Sequence, residues 1–377
     1  MNRIITSTLC IALSTLAPAC VALDTDDLGS ESYDVIVQPP QSGYICSKDF
    51  LIYPNRGEAT DDTLRRQPYC GTNSIQGSTV YPGYTRLVFV QHGRTPIAQD
   101  YFDIMTAAAQ KAGVQAQTFI VAPQFMRESD WNSYIDGWPW DFESQYDLHW
   151  LGSDWAIGET SVQSNGALAR SSFKVYDLMV SAALARLPDV QEVIFVGQSA
   201  GGQFIHRYAA IGTPSLPAGV TARYVSANPQ SYLYLDETRP FPVPSTNVAP
   251  NNVNCPNYDA YHVGLGSFDP ADQQYMSAVG ENQIINQYKN RNMTYLVGAL
   301  DTGDPDGAYS CRMEVQGDHR LERGMAYASY IQNYYSQNFG INVNHRFQMV
   351  PNVSHGLGIL DENCAIRWIF NLPAFCN

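Results

Sequence analysis

The chain has 377 residues, 28 of them glycine and 22 proline, and a formal net charge of −14 at pH 7. That acidic balance argues against nucleic acid and anionic membrane surfaces as partners. With no Pro/Gly/Ser-rich linker dividing it, the length fits one large domain with insertions, and past the N-terminus no apolar run is long enough to span a membrane.

In chain order, Arg3 and the apolar run Ile4–Leu16, followed by Ala17-Pro18-Ala19, read as a secretory signal peptide over residues 1–22, cleaved near 19–22. Secreted or periplasmic localisation follows. Cys20 raises an alternative in which a lipid anchors the chain, but Pro18 and the absence of a leucine just ahead weaken that signal. Cys46, Cys70, Cys255, Cys311, Cys364 and Cys376 then make an even set in an oxidising compartment, which suggests three disulfides. Short loops favour Cys46 with Cys70 and Cys364 with Cys376, leaving Cys255 with Cys311. No cysteine or histidine spacing suits zinc, and no cofactor is expected.

Strands are predicted at Thr85–Gln91, Ala116–Ala122, Val190–Val196, Thr221–Ala227, Met293–Val297 and Asn344–Val350. Helices are predicted near Pro96–Ala112, at Ser171–Leu187, Gly201–Ile211 and Leu321–Asn338, and near Asp361–Phe370. This alternation implies an α/β fold: a mainly parallel central sheet with helices on both faces. Ligands bind such sheets at the carboxyl ends of the strands.

The strongest motif is Val193-Ile194-Phe195-Val196-Gly197-Gln198-Ser199-Ala200-Gly201-Gly202, an apolar strand running into Gly-x-Ser-x-Gly and then a helix. A serine hydroxyl is a weak nucleophile. A tight strand-to-helix turn exposes it to a base and to backbone N–H groups. The bland alternative is a strand end softened by glycine. The loop Gly298-Ala299-Leu300-Asp301 supplies a carboxylate, and Pro351-Asn352-Val353-Ser354-His355-Gly356 supplies a base, both just after strands. Imidazole exchanges its proton near neutral pH, so His355 is the candidate base. Asp301 ranks first as the acid because it comes earliest after its strand; Asp304 is the fallback. Asp301, Asp304 and Asp306 are alternatively a solvated acidic turn or a calcium loop. The oxyanion donors are assigned to the backbone N–H groups of Arg94 and Ala200, with Gly93 letting the loop bend and His92 shaping it.

Gly197–Gly202, His92-Gly93, Gly298–Asp301 and Val350–His355 together resemble the α/β-hydrolase fold superfamily, over the stretch from Thr85 to the C-terminus. More narrowly, Gln198–Phe204, Ala227–Tyr232 and Gln316-Gly317-Asp318-His319-Arg320 resemble a little-characterised group of secreted microbial serine hydrolases, which lends no substrate. Gln198 stands where many such relatives carry His. A single domain over 23–377 is expected, with insertions at about 124–168 and 228–290.

Trp131, Trp138, Trp140, Trp150 and Trp155 crowd the first insertion. Trp138, Trp140, Trp150 and Trp155 are candidates for an aromatic wall beside Ser199; alternatively the rings pack the insertion onto the body. The expected function is a serine hydrolase acting on a small-molecule or polymeric carboxylic ester, with oligomeric state left open. The rival activities are a peptidase, amidase or carbon-carbon bond hydrolase using the same residues. A non-catalytic binding module on the same fold is the rival from another class.

Overall fold

The computed structural model describes residues 45–47, 50–52, 64–95, 97–131, 143, 146–162, 169–239, 255–269, 271–303, 311–373 and 376. The expected signal segment 1–22, Cys20, Trp138, Trp140, Asp304 and Asp306 lie outside them. The strands are β1 (Ile45–Ser47), β2 (Leu51–Ile52), β3 (Arg65–Arg66), β4 (Tyr69–Gly71), β5 (Arg86–Gln91), β6 (Thr118–Pro123), β7 (Met126–Arg127), β8 (His149–Trp150), β9 (Glu192–Gln198), β10 (Thr221–Ala227), β11 (Asn292–Gly298) and β12 (His345–Val350). The helices are α1 (Ala98–Lys111), α2 (Ser172–Arg186), α3 (Ala200–Ile211), α4 (Gln274–Val279), α5 (Glu281–Tyr288), α6 (Cys311–Glu314), α7 (Arg320–Phe339) and α8 (Asn363–Ile369).

Eight strands form one sheet in the order β1-β4-β6-β5-β9-β10-β11-β12. From β6 to β12 every pairing is parallel, while β1 and β4 are antiparallel additions at one edge. The central strands bury both faces, so their sequences alternate by size rather than by polarity. Leu87, Phe89, Phe119, Phe195, Tyr224 and Tyr295 pack on the face covered by α2, α3, α5 and α7. Val88, Val90, Ile120, Ile194, Val196 and Val225 pack against α1 and α8. Phe195 is fully buried, and burial of one such ring contributes roughly 1.5–3 kcal/mol.

Helix boundaries follow local chemistry. The Ser171 hydroxyl accepts the Phe173 N–H at the start of α2, and the His319 ring accepts the Glu322 N–H at the start of α7. Gly340, at φ 65°, ends α7 in the left-handed conformation that costs glycine least. The disulfides are Cys46–Cys70, Cys255–Cys311 and Cys364–Cys376, as loop length suggested. Cys46 and Cys70 are register partners across β1 and β4, so that bond staples the short antiparallel edge.

The described parts of the two expected insertions pack onto the body of the sheet. Trp150 and Trp155 are 0% exposed: Trp155 stacks on Phe125 and packs against His92, and the Trp150 indole N–H donates to the Glu159 carbonyl. These two rings therefore anchor the first insertion to the core instead of forming a solvent-facing wall. Trp150 meets the condition for burying so large a ring, an acceptor for its N–H, whereas the buried Trp155 N–H has no hydrogen-bond partner among the described residues and that ring is held by aromatic packing. The second insertion carries α4 and α5, and Tyr275 ties it to the body by donating to buried Asp177 at 2.5 Å.

Candidate active site

β9 delivers Ser199 at the carboxyl edge of the sheet, where the chain reverses into α3. Ser199 has φ 58° and ψ −117°, a conformation that non-glycine residues avoid and that persists only when its surroundings enforce it. Those surroundings are backbone. The Ser199 N–H donates to the Ala227 carbonyl and its own carbonyl accepts from the Gln203 N–H, both at 2.9 Å. A Cβ on Gly197 would lie 2.3 Å from the Gly201 carbonyl oxygen, one on Gly201 2.2 Å from that of Gln91, and one on Gly202 2.5 Å from that of Ala227. The glycines are thus required by close approach of β9, α3, β10 and the loop after β5, which fixes the turn from three sides.

His355 and Asp301 reach the serine from the loops after β12 and β11. The Asp301 Oδ2 lies 3.0 Å from His355 Nδ1, and His355 Nε2 lies 3.1 Å from Ser199 Oγ. With a carboxylate on Nδ1, the neutral ring carries its proton there and presents Nε2 as an acceptor to the hydroxyl. Asp301 is 1% exposed, whereas the His355 side chain is partly open to solvent. The two loops hold each other. The Leu300 N–H donates to the Val353 carbonyl, and a Cβ on Gly298 would stand 2.5 Å from that same oxygen.

Two residues of this assembly lie within the segments Ala227–Tyr232 and Gln316–Arg320 noted in the sequence, which assigned them no role. Asn228, just past β10 at φ 45°, accepts the Gly298 N–H through Oδ1 and donates from Nδ2 to the Ser354 carbonyl. One side chain so spans the acid loop and the base loop. Arg320 Nη1 lies 3.6 Å from Asp301 Oδ1, with the two side chains 2% and 1% exposed, and the Leu321 N–H donates to the Asp301 carbonyl. A cation in the first turn of a helix opposes the macrodipole, and that was the available hint of a specific partner.

The loop after β5 packs on the same turn. His92 is completely buried and held low, to about 4, chiefly by loss of solvation. Its Nε2 accepts the Phe125 N–H at 2.9 Å, so Nδ1 carries the proton and donates to the Gly93 carbonyl at 2.7 Å. His92 is thereby a loop-shaping residue, as expected, with both ring nitrogens engaged. Arg94 follows as an exposed residue, and Ala200 is the first residue of α3, 5% exposed. Backbone N–H groups in the first turn of a helix lack intrahelical acceptors and face incoming negative charge. Of the other histidines, His206 accepts the Leu233 N–H, His345 bonds the Tyr295 hydroxyl, and His149 Nδ1 faces the Asp147 carbonyl. Each is buried structure.

No family model and no curated protein sequence matches the chain. Among solved structures it is similar to the poly(3-hydroxybutyrate) depolymerase LpqC from Bordetella parapertussis, with TM-score 0.53 and 20% identity over 87% of this chain and 90% of that one. It is also similar to poly(aspartic acid) hydrolase-1 from Sphingomonas sp. KT-1, with TM-score 0.50 and 17% identity over 88% of this chain and all of that one. With its eight-stranded, mostly parallel sheet and the serine turn at its carboxyl edge, the chain has the α/β-hydrolase fold that these structures share.

Proposed function

We propose that the protein is a secreted serine hydrolase that cleaves carboxylic esters through an acyl-enzyme. The observation that carries this reading is the continuous relay from buried Asp301 through His355 to Ser199 Oγ on a conformationally enforced turn. The three disulfides fit an oxidising compartment, and no described helix is long and apolar enough to cross a membrane.

In this mechanism Ser199 Oγ attacks the carbonyl carbon while His355 Nε2 takes the hydroxyl proton. The carbonyl π electrons move onto oxygen, which accepts hydrogen bonds from the Arg94 and Ala200 N–H groups; each donor is worth about 3 kcal/mol of transition-state stabilisation. Collapse breaks the bond to the alkoxide, which receives the proton from His355. Water then attacks the acyl-enzyme, giving its proton to His355, and the acid departs as Ser199 recovers its own. Asp301 holds the ring and stabilises its cation without taking the proton. An alkoxide leaves with less assistance than an amine, which favours esters over amides.

The names of the two similar structures, one for poly(3-hydroxybutyrate) and one for poly(aspartic acid), favour polymeric substrates as the second reading. Trp138 and Trp140 remain candidates for contacting such a chain. The test is hydrolysis of a chain-length series of p-nitrophenyl esters, matched amides and the two polymers, by the protein and its Ser199→Ala variant. Ester turnover lost in the variant is the expected result; turnover of amides alone would favour the rival activity.

A further inference from the structure

Gln198 immediately precedes the nucleophile, and its buried side chain reaches α1. Its Oε1 accepts the Tyr101 hydroxyl at 2.8 Å, across 97 residues of sequence. Tyr101 lies on α1 and is 6% exposed; Gln198 is 3% exposed. Burial pushes the Tyr101 phenol up to about 12 and keeps it a neutral donor. A Cβ on Gly93 would lie 2.7 Å from the Tyr101 hydroxyl and 3.2 Å from Gln198 Oε1, so these three groups are in close contact.

The two oxyanion donors named above sit on different segments: Ala200 on the serine turn and Arg94 on the loop after β5. Their separation must match one developing oxygen, and donors act only within a few tenths of an ångström of 2.7–3.1 Å. His92 fixes the Gly93 carbonyl and Phe125 fixes His92, but neither of them touches the serine turn through these bonds. The Tyr101–Gln198 hydrogen bond does, with Gly93 packed directly against it.

We infer that Tyr101 and Gln198 are positioning residues that set the spacing between the two halves of the oxyanion site. This rests on the Ser199 reading above. It also accounts for glutamine at 198, because an uncharged acceptor of this length reaches the phenol that carries the loop.

Tyr101→Phe removes one oxygen and keeps the ring, so the α1 core contacts survive. The variant should lose about tenfold to a hundredfold in kcat on a p-nitrophenyl ester with KM within about twofold, since a transition-state interaction is misplaced while ground-state binding is spared. A boronic acid provides the second readout. Its boron bonds Ser199 Oγ, the hydroxyl proton moves to His355, and the negative boronate presents an oxygen to the same donors. Its affinity should weaken by the same factor as kcat. Gln198→Leu should give a similar loss, and the double variant no more than either single one, because both cut the same bridge. Wild-type kcat and boronate affinity in Tyr101→Phe, or fully additive losses, would overturn the inference. An inactive Ser199→Ala beside a fully active Tyr101→Phe sinks this inference alone; a fully active Ser199→Ala sinks the reading beneath it as well.

Discussion

Gly201→Ala tests the enforced turn with one methyl group. The added Cβ would sit 2.2 Å from the Gln91 carbonyl oxygen and 2.5 Å from that of His92, where ordinary contact begins at 3.4 Å. About 1.2 Å (3.4 − 2.2) must therefore be absorbed, and both obstacles are backbone. In a helix, Ala is favoured over Gly by up to ~1 kcal/mol, but overpacking of this kind costs about 1–3 kcal/mol, so the net sign is destabilising. The displaced segment carries Gly93 and Arg94. A shift of about 1 Å in an oxyanion loop costs on the order of a hundredfold in rate. Gly356→Ala is the control: it lies beside His355, at φ 172°, with nothing within 4 Å of the added carbon. Thermal unfolding and steady-state ester hydrolysis on both variants check this. Gly201→Ala with the stability and kcat of Gly356→Ala would refute the reasoning.

Other outcomes follow from the same structure. Arg320→Met leaves the buried Asp301 carboxylate without the cation 3.6 Å away, and stability should fall by about 3–5 kcal/mol, measured by denaturant unfolding. Acid should weaken the fold through buried histidines: His345 is lowered to about 4 by burial, so between about 6.5 and 4 the unfolded chain binds a proton that the native state refuses. The stability is therefore present above the unfolded value and lost as pH falls through that window, by about 1.4 kcal/mol per pH unit for this group. Glu159, raised to about 6 by burial, works in the opposite direction, so the clean measurement is the difference between wild type and His345→Gln, whose slope should be flatter; equal slopes would contradict the burial argument. Reduction should cost most at Cys255–Cys311, whose 56-residue separation gives about 4 kcal/mol of chain entropy against about 3 for the 12-residue loop Cys364–Cys376. Single Cys-pair replacements by Ala, compared by thermal unfolding, check the order.

The long parallel strands β5, β6, β9, β10 and β11 were legible because each contains five or more consecutive buried residues, whereas β12 buries only its two end residues. Val193–Val196 into Ser199 is the clearest case, and the spacing of Asp301 and His355 after their strands followed the same logic. The two- and three-residue strands β1–β4, β7 and β8 are too short to establish a period. Pairing at Cys46–Cys70 and bonds from distant segments hold β1 and β4 in place, and no local pattern encodes these. Composition likewise cannot tell a buried tryptophan from a substrate-facing one: nothing in the sequence marks Trp155 as core until Phe125 and His92 are seen packed around it. Asn228, Arg320 and Tyr101 act over separations of 70, 19 and 97 residues from their partners, so only the folded chain brings their roles into view.

The central claim is that Ser199 is an activated nucleophile. Incubating the protein with a fluorophosphonate and locating the adduct by peptide mass tests it directly. One phosphonylated residue is expected, Ser199, with labelling abolished in Ser199→Ala and strongly slowed in His355→Gln. An unlabelled wild-type protein that is folded, or an adduct on another residue, would contradict it.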